Sequence, residues 1–374
     1  VRERSKAQTD SLRVADVGVK LTVASPTAFT GLGNLMIITQ TGTSVPATAT
    51  ANDGLMTNIT DDNTKSAFKT YASLDALAKD YQSTTSVYKK AAAYFDQENA
   101  SDRISVMSYA SGKVEDSLRA FWNQDWTFAI WDGNGSTDTA SSNLADQATA
   151  ATLFEAQEDH ILVLQREQAS EFSSMTKGND YTVGCVHSLS EQMDAALVGA
   201  CASLTVGSIT WKFKKLNDVS PEDLTAGQVT AITAAHCIAY ANVHGRAQTT
   251  EGTVLSGEYI DEIHGEMWVK VNLEANLESL LQSNPKVPYD ATGIAMIQGV
   301  VTSTLQVATD QGIVLANDNG KGDFAVSSTP RSAQSATDLS SRRYAGCTFR
   351  YTPSGAVHTV EVNGVVDSTT VREK

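Results

Sequence analysis

The sequence of 374 residues predicts a mixed α/β protein. Short apolar runs alternate with segments of helical periodicity up to about residue 205, which is typical of a sheet layered by helices. Further along the chain, two long helical patterns are followed by strands at the end. The predicted strands of the first part are Leu35–Ile38, Ile104–Ser108, Phe128–Trp131, Ile161–Leu164 and Tyr181–Val186.

Two helices are predicted in this part of the chain. Val114, Leu118, Phe121 and Trp122 recur at i, i+4, i+7 and i+8, which places them on one face of an amphipathic helix. Ser188 and Glu191 have the spacing of a capping box, which predicts that a second helix begins there. The apolar residues of this second helix are Met193, Leu197 and Val198.

The pattern changes after residue 205. An apolar run at Ile209–Phe213 precedes Ser220-Pro221, and a serine followed by proline predicts the start of a helix that reaches about Ala235. Apolar residues at helical spacing then predict a long helix from about Ile260 to Asn284-Pro285 and another through Ile294 and Leu305.

Both ends of the chain carry strand patterns. Val17, Val19, Leu21 and Val23 alternate with other residues, and no hairpin partner follows them, so this strand must pair with something distant. At the other end, strands are predicted at Phe324–Val326, Thr348–Tyr351 and Val357–Val362, the last leading into a hairpin turn at Asn363-Gly364.

Composition excludes several classes of protein. The net charge of −15 and the pI near 4.8 disfavour binding to nucleic acid, because a polyanion would be repelled. No secretory signal and no apolar stretch of membrane-spanning length is recognised. The four cysteines are widely spaced, as expected of reduced, buried thiols: Cys185, Cys201, Cys237 and Cys347.

The sequence offers no set of residues for catalysis, cofactor binding or metal binding. The most suggestive group is Asp261, Glu262, His264 and Glu266, which could offer oxygens to a cation, although acidic residues at a helix start more often complement the helix dipole. The Gly31 and Gly33 pair lacks the third glycine of a dinucleotide site, and Asp318–Asp323 is interpreted as a turn. We therefore expect no enzyme activity, no metal and no cofactor.

Several segments are similar, in order and size, to tail-sheath proteins of phages with contractile tails. They are the amino-terminal strand, Trp211–Leu216, the helix pair between Tyr259 and Ile313, and Ala345–Val366. The resemblance implies an amino-terminal arm (1–24), an outer α/β domain (25–252, with a possible subdivision near 205) and an α+β assembly domain (253–374) that ends in a strand arm.

The resemblance also implies a function. Sheath subunits form a helical stack of rings around a tail tube and contract to drive the tube through the host envelope. The implied partners are further copies of this chain, the tail tube protein, and baseplate and tail terminator proteins. Direct nucleic-acid contact and membrane insertion are not expected. The implied location is the contractile tail of a virion, assembled in the host cytoplasm.

A strand that lacks a local partner can complete the sheet of a neighbouring subunit. The predicted inter-subunit residues are Val17, Val19, Leu21, Val23, Val357, Val360 and Val362. Three alternatives remain open. The terminal strands could pair within one monomer, the chain could be an α/β enzyme with a site at the carboxyl ends of its strands, or the Ser/Thr-rich stretches 41–50 and 136–142 could belong to an adhesion module.

Overall fold

A computed structural model describes residues 32–40, 56–58, 66–110, 112–133, 140–175 and 178–364 of the chain. Side chains are described for all of these except residues 56–58 and 140–143. The predicted strand with Val17, Val19, Leu21 and Val23 lies outside the described residues.

The centre of the fold is a mixed sheet of nine strands. They are β1 (Leu35–Gln40), β2 (Met56–Asn58), β3 (Ser66–Tyr71), β4 (Ile104–Tyr109), β5 (Phe128–Trp131), β6 (Ile161–Arg166), β7 (Thr182–Val186), β8 (Ile238–Val243) and β9 (Arg246–Thr249). Their order is β2-β3-β4-β1-β5-β6-β7-β8-β9, and the strands from β4 to β8 in this order run parallel. Strands β4-β1-β5-β6-β7 follow the doubly wound order 2-1-3-4-5. All five runs predicted as strands are confirmed.

Helices cover both faces of this sheet. They are α1 (Leu74–Leu77), α2 (Ser86–Phe95), α3 (Val114–Phe121), α4 (Ala140–Gln157), α5 (Met193–Cys201), α6 (Ala226–Ala234), α7 (Ile260–Ser283), α8 (Ala291–Gln311) and α9 (Ala336–Ser340). Leu35 and Ile37 pack in one core with α2, α5 and the start of α7, whereas Met36 and Ile38 pack in another with α3, α4 and α6. Since successive side chains of a strand point to opposite faces, a strand covered on both sides is apolar throughout.

Two predicted helix starts are wrong, although both helices exist. Helix α5 begins at Met193, because the Ser188 hydroxyl bonds the Ser190 hydroxyl (2.9 Å) and the Glu191 carboxylate accepts from the Ser220 main-chain N–H (2.6 Å). Helix α6 begins at Ala226 with a capping box of Thr225 and Gln228. The Ser220-Pro221 segment is not helical because the following Glu222 N–H donates to the Tyr240 carbonyl of β8 (2.8 Å).

The carboxy-terminal part is built on α7, α8 and a two-stranded antiparallel sheet. Its strands, β10 (Phe324–Ser328) and β11 (Cys347–Tyr351), confirm the two predicted there. A separate core includes Val269, Leu273 and Leu305 from the two helices. By length and apolar composition α8 is the one helix in the described part of the chain that could span a membrane, and here it packs on α7 and β10.

Helix α7 joins this part to the sheet. Ile260, Ile263 and Met267 lie in the core that covers the nine-stranded sheet, whereas Val269 and Leu273 lie in the carboxy-terminal core. Contacts therefore cross the proposed boundary at residue 252. The division into 1–24, 25–252 and 253–374 stays a prediction.

Candidate assembly interface

The segment after β11 leaves the body of the protein. We call residues 352–364 the C-terminal arm. Val357, Val360 and Val362 are 75%, 76% and 83% exposed, more than any other large hydrophobic residue for which the structure describes a side chain. Three such valines within six residues are unfavourable in water, which makes this segment a candidate contact surface.

The arm differs from the prediction in its secondary structure. Val357, Val360 and Val362 were expected in a strand, but residues 354–364 form no regular element in the single chain. The physical reason is that a strand needs a partner for its main-chain N–H and C=O groups, and the described residues supply none beside this segment. The hairpin turn predicted at Asn363-Gly364 would continue into residues outside the described part of the chain.

The root of the arm is held by main-chain hydrogen bonds. Leu315 N–H donates to the Thr352 carbonyl (2.8 Å) and Ser354 N–H donates to the Ile313 carbonyl (3.0 Å). Gly312 ends α8 in the left-handed region (φ 88°), and a Cβ there would lie 2.8 Å from the Gly207 carbonyl oxygen. Glycine at position 312 therefore allows the end of α8 to approach the Gly207 main chain closely, next to the root of the arm.

Strands β10 and β11 lie next to the arm and have free edges. Neither strand pairs with a third strand among the described residues. A two-stranded sheet is marginal alone, and this one rests on α8, where the Gln298 side chain accepts from the Ser328 hydroxyl (2.7 Å). Phe349 remains 44% exposed and stacks on Tyr351. Free edges beside an exposed aromatic ring suit the addition of a further strand.

The chain enters β1 at a tightly packed point. Leu32 is buried in the carboxy-terminal core with Ile313, has a φ of 34°, and accepts a hydrogen bond from His264 Nε2 through its carbonyl (2.7 Å). Burial lowers the pKa of His264 to about 4, so the ring is neutral near pH 7. A side chain at Gly33 would overlap the Ala202 carbonyl. The roots of both terminal segments therefore lie in one core.

The acidic group predicted from sequence divides between two environments. His264 points into the core, whereas Asp261, Glu262 and Glu266 line a cleft of about 440 Å³ beneath the arm. Burial raises the pKa of Asp261, and burial followed by the neighbouring carboxylates raises that of Glu262 and Glu266. No group of three or more potential metal ligands occurs among the residues that the structure describes.

The carboxyl ends of the parallel strands hold buried polar groups that bind one another. The Asp132 carboxylate accepts from the Thr39 hydroxyl (2.7 Å), and burial raises its pKa. Lys90 and Asp194 form a fully buried ion pair with Nζ 2.6 Å from each carboxylate oxygen. The first contact joins the ends of β1 and β5, and the ion pair joins α2 to α5.

A buried histidine ties the loop before α6 to β7. The His187 ring lies between Glu191 (Nε2 to Oε2, 3.1 Å) and Glu222 (Nδ1 to Oε1, 3.3 Å). Sequence analysis missed both this cluster and the Lys90–Asp194 pair. The partners in the ion pair are 104 residues apart, so no short-range pattern in the sequence indicates that they pair.

The large aromatic residues of the α/β part and the cysteines lie mainly in the core. Phe121, Trp122, Trp126 and Trp131 are all buried and pack in one cluster. Cys185, Cys201 and Cys237 are buried and Cys347 is half-buried, and all four are free thiols.

Comparison of the sequence with known protein families gives a match in the carboxy-terminal part of the chain. Residues 260–366 match the family described as E217 tail sheath protein gp31-like, C-terminal domain. No curated protein sequence matches the chain.

Solved structures resemble the whole chain. A chain of the anti-feeding prophage (AFP) baseplate has a TM-score of 0.65 at 11% identity, covering 94% of this chain and 99% of that one. The contracted AFP helical sheath gives 0.58 at 14% identity (95% and 99%). The contracted PVC sheath complex of an extracellular contractile injection system gives 0.60 at 10% identity (95% and 97%). The predicted resemblance to tail-sheath proteins and the predicted α/β fold class are confirmed.

Proposed function

We propose that this chain is a structural subunit of a contractile tail sheath, which polymerises helically around a tail tube and contracts to drive the tube through a host envelope. The observation that carries the proposal is the exposed C-terminal arm beside a two-stranded sheet with free edges, within a chain whose whole fold resembles sheath proteins. An arm and an acceptor on the same chain are what a self-assembling subunit requires.

Strand addition explains why the arm is unstructured in one chain. Main-chain hydrogen bonds to β10 or β11 of a neighbour would order the arm, and Val357, Val360 and Val362 would become buried. The amino-terminal strand with Val17, Val19, Leu21 and Val23 is proposed to act in the same way. A donor segment and an acceptor edge that are different parts of the same chain make a head-to-tail contact, and such contacts build helical polymers when the rotation does not close.

Contraction requires two packings of the same subunits. Arms that are flexible between their roots and their docked strands would keep neighbours connected while the α/β parts rotate past one another. The extended sheath is then a kinetically trapped state that relaxes when triggered. The proposed partners are other copies of this chain, the tail tube protein, and baseplate and terminator proteins, in the contractile tail of a virion assembled in the host cytoplasm.

A structural role suits the chemistry better than catalysis. The polar groups described at the carboxyl ends of the strands are engaged with one another, as Asp132 with Thr39 and Lys90 with Asp194. The net charge of −15 also disfavours direct contact with nucleic acid. We therefore propose that the chain is not an enzyme.

Deletion of residues 1–24 tests the proposal. We expect the shortened chain to keep the thermal unfolding midpoint of the full chain, because the described core begins at Leu32, and to form no rods, rings or tubes in negative-stain electron microscopy. The full chain at the same concentration should form them. A full chain that stays a monodisperse particle at high concentration would contradict the proposal, and a deletion that unfolds the protein would rule out strand donation by this segment.

A further inference from the structure

One side chain of the C-terminal arm is not exposed. Between residues 355 and 364 every residue is exposed except His358, whose side chain retains 10% exposure. His358 Nε2 lies 2.7 Å from the Thr210 hydroxyl oxygen, and its ring meets Tyr259 edge-on with centroids 4.8 Å apart. The arm is thus attached at two points, the Ser354 main chain and the His358 ring.

The two nitrogens of the His358 ring have different surroundings. Nε2 forms the hydrogen bond with the Thr210 hydroxyl. Nδ1 lies 3.8 Å from Glu251 Oε2 and forms no hydrogen bond with any residue that the structure describes.

The charged groups facing the ring are mainly acidic. Glu251 and Asp261 both act on His358 electrostatically or by contact, and Lys212 is the basic group nearby. Lys212 Nζ already binds the other oxygen of Glu251 at 2.8 Å.

We propose that His358 is a positioning residue that latches the C-terminal arm onto its own subunit until a neighbouring sheet takes the arm. The inference rests on the proposed function, because the arm is the segment to be donated. Between its two attachments the arm crosses the acidic cleft along Pro353, Ser354 and Ala356. While latched, the valines stay at a fixed place on the subunit's own surface.

A nitroxide label on the arm reads the latch directly in the unassembled protein. The full chain would carry Thr359→Cys, one residue beyond the latch, with the half-buried Cys347 replaced by serine. Spectra would be recorded below the concentration at which the chain assembles. The variants are His358→Ala, which removes the latch, His358→Gln, which keeps a side chain that can hydrogen-bond Thr210, and Thr210→Val, which removes the hydroxyl group at nearly constant shape.

We expect the mobile fraction of the label to at least double in His358→Ala and to rise by a smaller factor in Thr210→Val. In His358→Gln the mobile fraction should stay close to that of the parent chain, because the glutamine amide can still form a hydrogen bond with Thr210. Equal mobility in the parent and in His358→Ala would overturn the latch.

The result is independent of polymerisation, since only unassembled protein is measured. If the labels report a latch but the full chain never polymerises, the proposed function fails and the latch stands. If the chain polymerises and the label is already free in the parent, the latch fails and the proposed function stands.

Discussion

At the residue scale, the most informative contact is the ion pair between Lys90 and Asp194. Both side chains are completely buried, and the pair joins α2 to α5 on one face of the sheet. Taking two charges out of water is costly, and their attraction offsets that cost only while both are present. The pair therefore makes the packing of these helices depend on two specific residues.

Removing one partner should be strongly destabilising. We expect Lys90→Met to lower the free energy of unfolding by about 3–5 kcal/mol, because Asp194 would be left as an uncompensated buried charge. The double variant Lys90→Met/Asp194→Leu should recover most of this loss in urea unfolding. As a control, Arg119→Ala breaks the exposed pair with Glu115 and should cost less than about 1 kcal/mol. A loss as small as the control's would show that Lys90 contributes little.

His264 predicts how stability depends on pH. Its pKa is about 4 in the folded chain, lowered by burial, against an ordinary value of 6.5. The unfolded chain therefore takes up a proton first, and stability present above pH 6.5 is lost as the pH falls towards 4, by up to about 3 kcal/mol. His264→Gln keeps a donor for the Leu32 carbonyl but has no titrating ring. Its urea midpoint should fall less than that of the parent chain between pH 7 and pH 4.5, and parallel falls would contradict this assignment.

At the scale of elements, strands were the easiest to predict and helix starts the hardest. The runs at β1, β4, β5, β6 and β7 are buried on both faces, so each is a continuous apolar block in the sequence. A cap depends on one hydrogen bond, and Ser188 and Ser220 sit in segments whose groups bind more distant partners. Spacing alone does not reveal such competition.

Helix α8 offers a test of capping. The Asp290 carboxylate accepts from the N–H groups of Thr292 (2.9 Å) and Gly293 (3.1 Å), and the helix carries β10 on its surface. We expect Asp290→Ala to lower the free energy of unfolding by about 1 kcal/mol and Asp290→Asn to change it little, since asparagine also caps. Asp310→Asn, at the exposed far end, is the control. Equal effects of Ala and Asn in thermal unfolding would argue against the cap.

The arm shows where prediction from one sequence ends at this scale. The alternation around Val357, Val360 and Val362 is a strand pattern, and the pattern was interpreted as a strand of the folded chain. Among the described residues of one chain the segment has no strand partner, and it stays irregular. Sequence pattern reports which side chains are to be buried, and it does not say which molecule buries them.

At the scale of the whole molecule, a subunit that can accept an arm but cannot donate one is expected to stop the growth of a polymer. A triple variant, Val357→Asp/Val360→Asp/Val362→Asp, should still receive a neighbour's arm at β10–β11 but fail to donate its own. Mixed with the parent at one part in ten, it should shorten the polymers several-fold in electron micrographs. Val229→Asp, which alters an exposed valine on α6, should leave their length unchanged.

The opposite outcome is equally clear. If the triple variant has no effect on polymer length while remaining folded, the C-terminal valines are not at the interface.

The two long helices and the strands β10 and β11 of the carboxy-terminal part could be predicted from the sequence. Their proposed use in assembly could be predicted only with the help of the family resemblance. No pattern in the sequence indicated the His358 contact, because Thr210 lies 148 residues away from it.

The two chain ends are rooted at nearly the same place. Leu32 packs in the core that holds Ile313, and the Ser354 N–H is bonded to the Ile313 carbonyl. In the proposed polymer, a pull applied through one arm would therefore reach the other through the core that Leu32 and Ile313 share with α7 and α8. The surface loops of the α/β part that are remote from this core could then be exchanged with the least effect on the mechanical strength of the polymer.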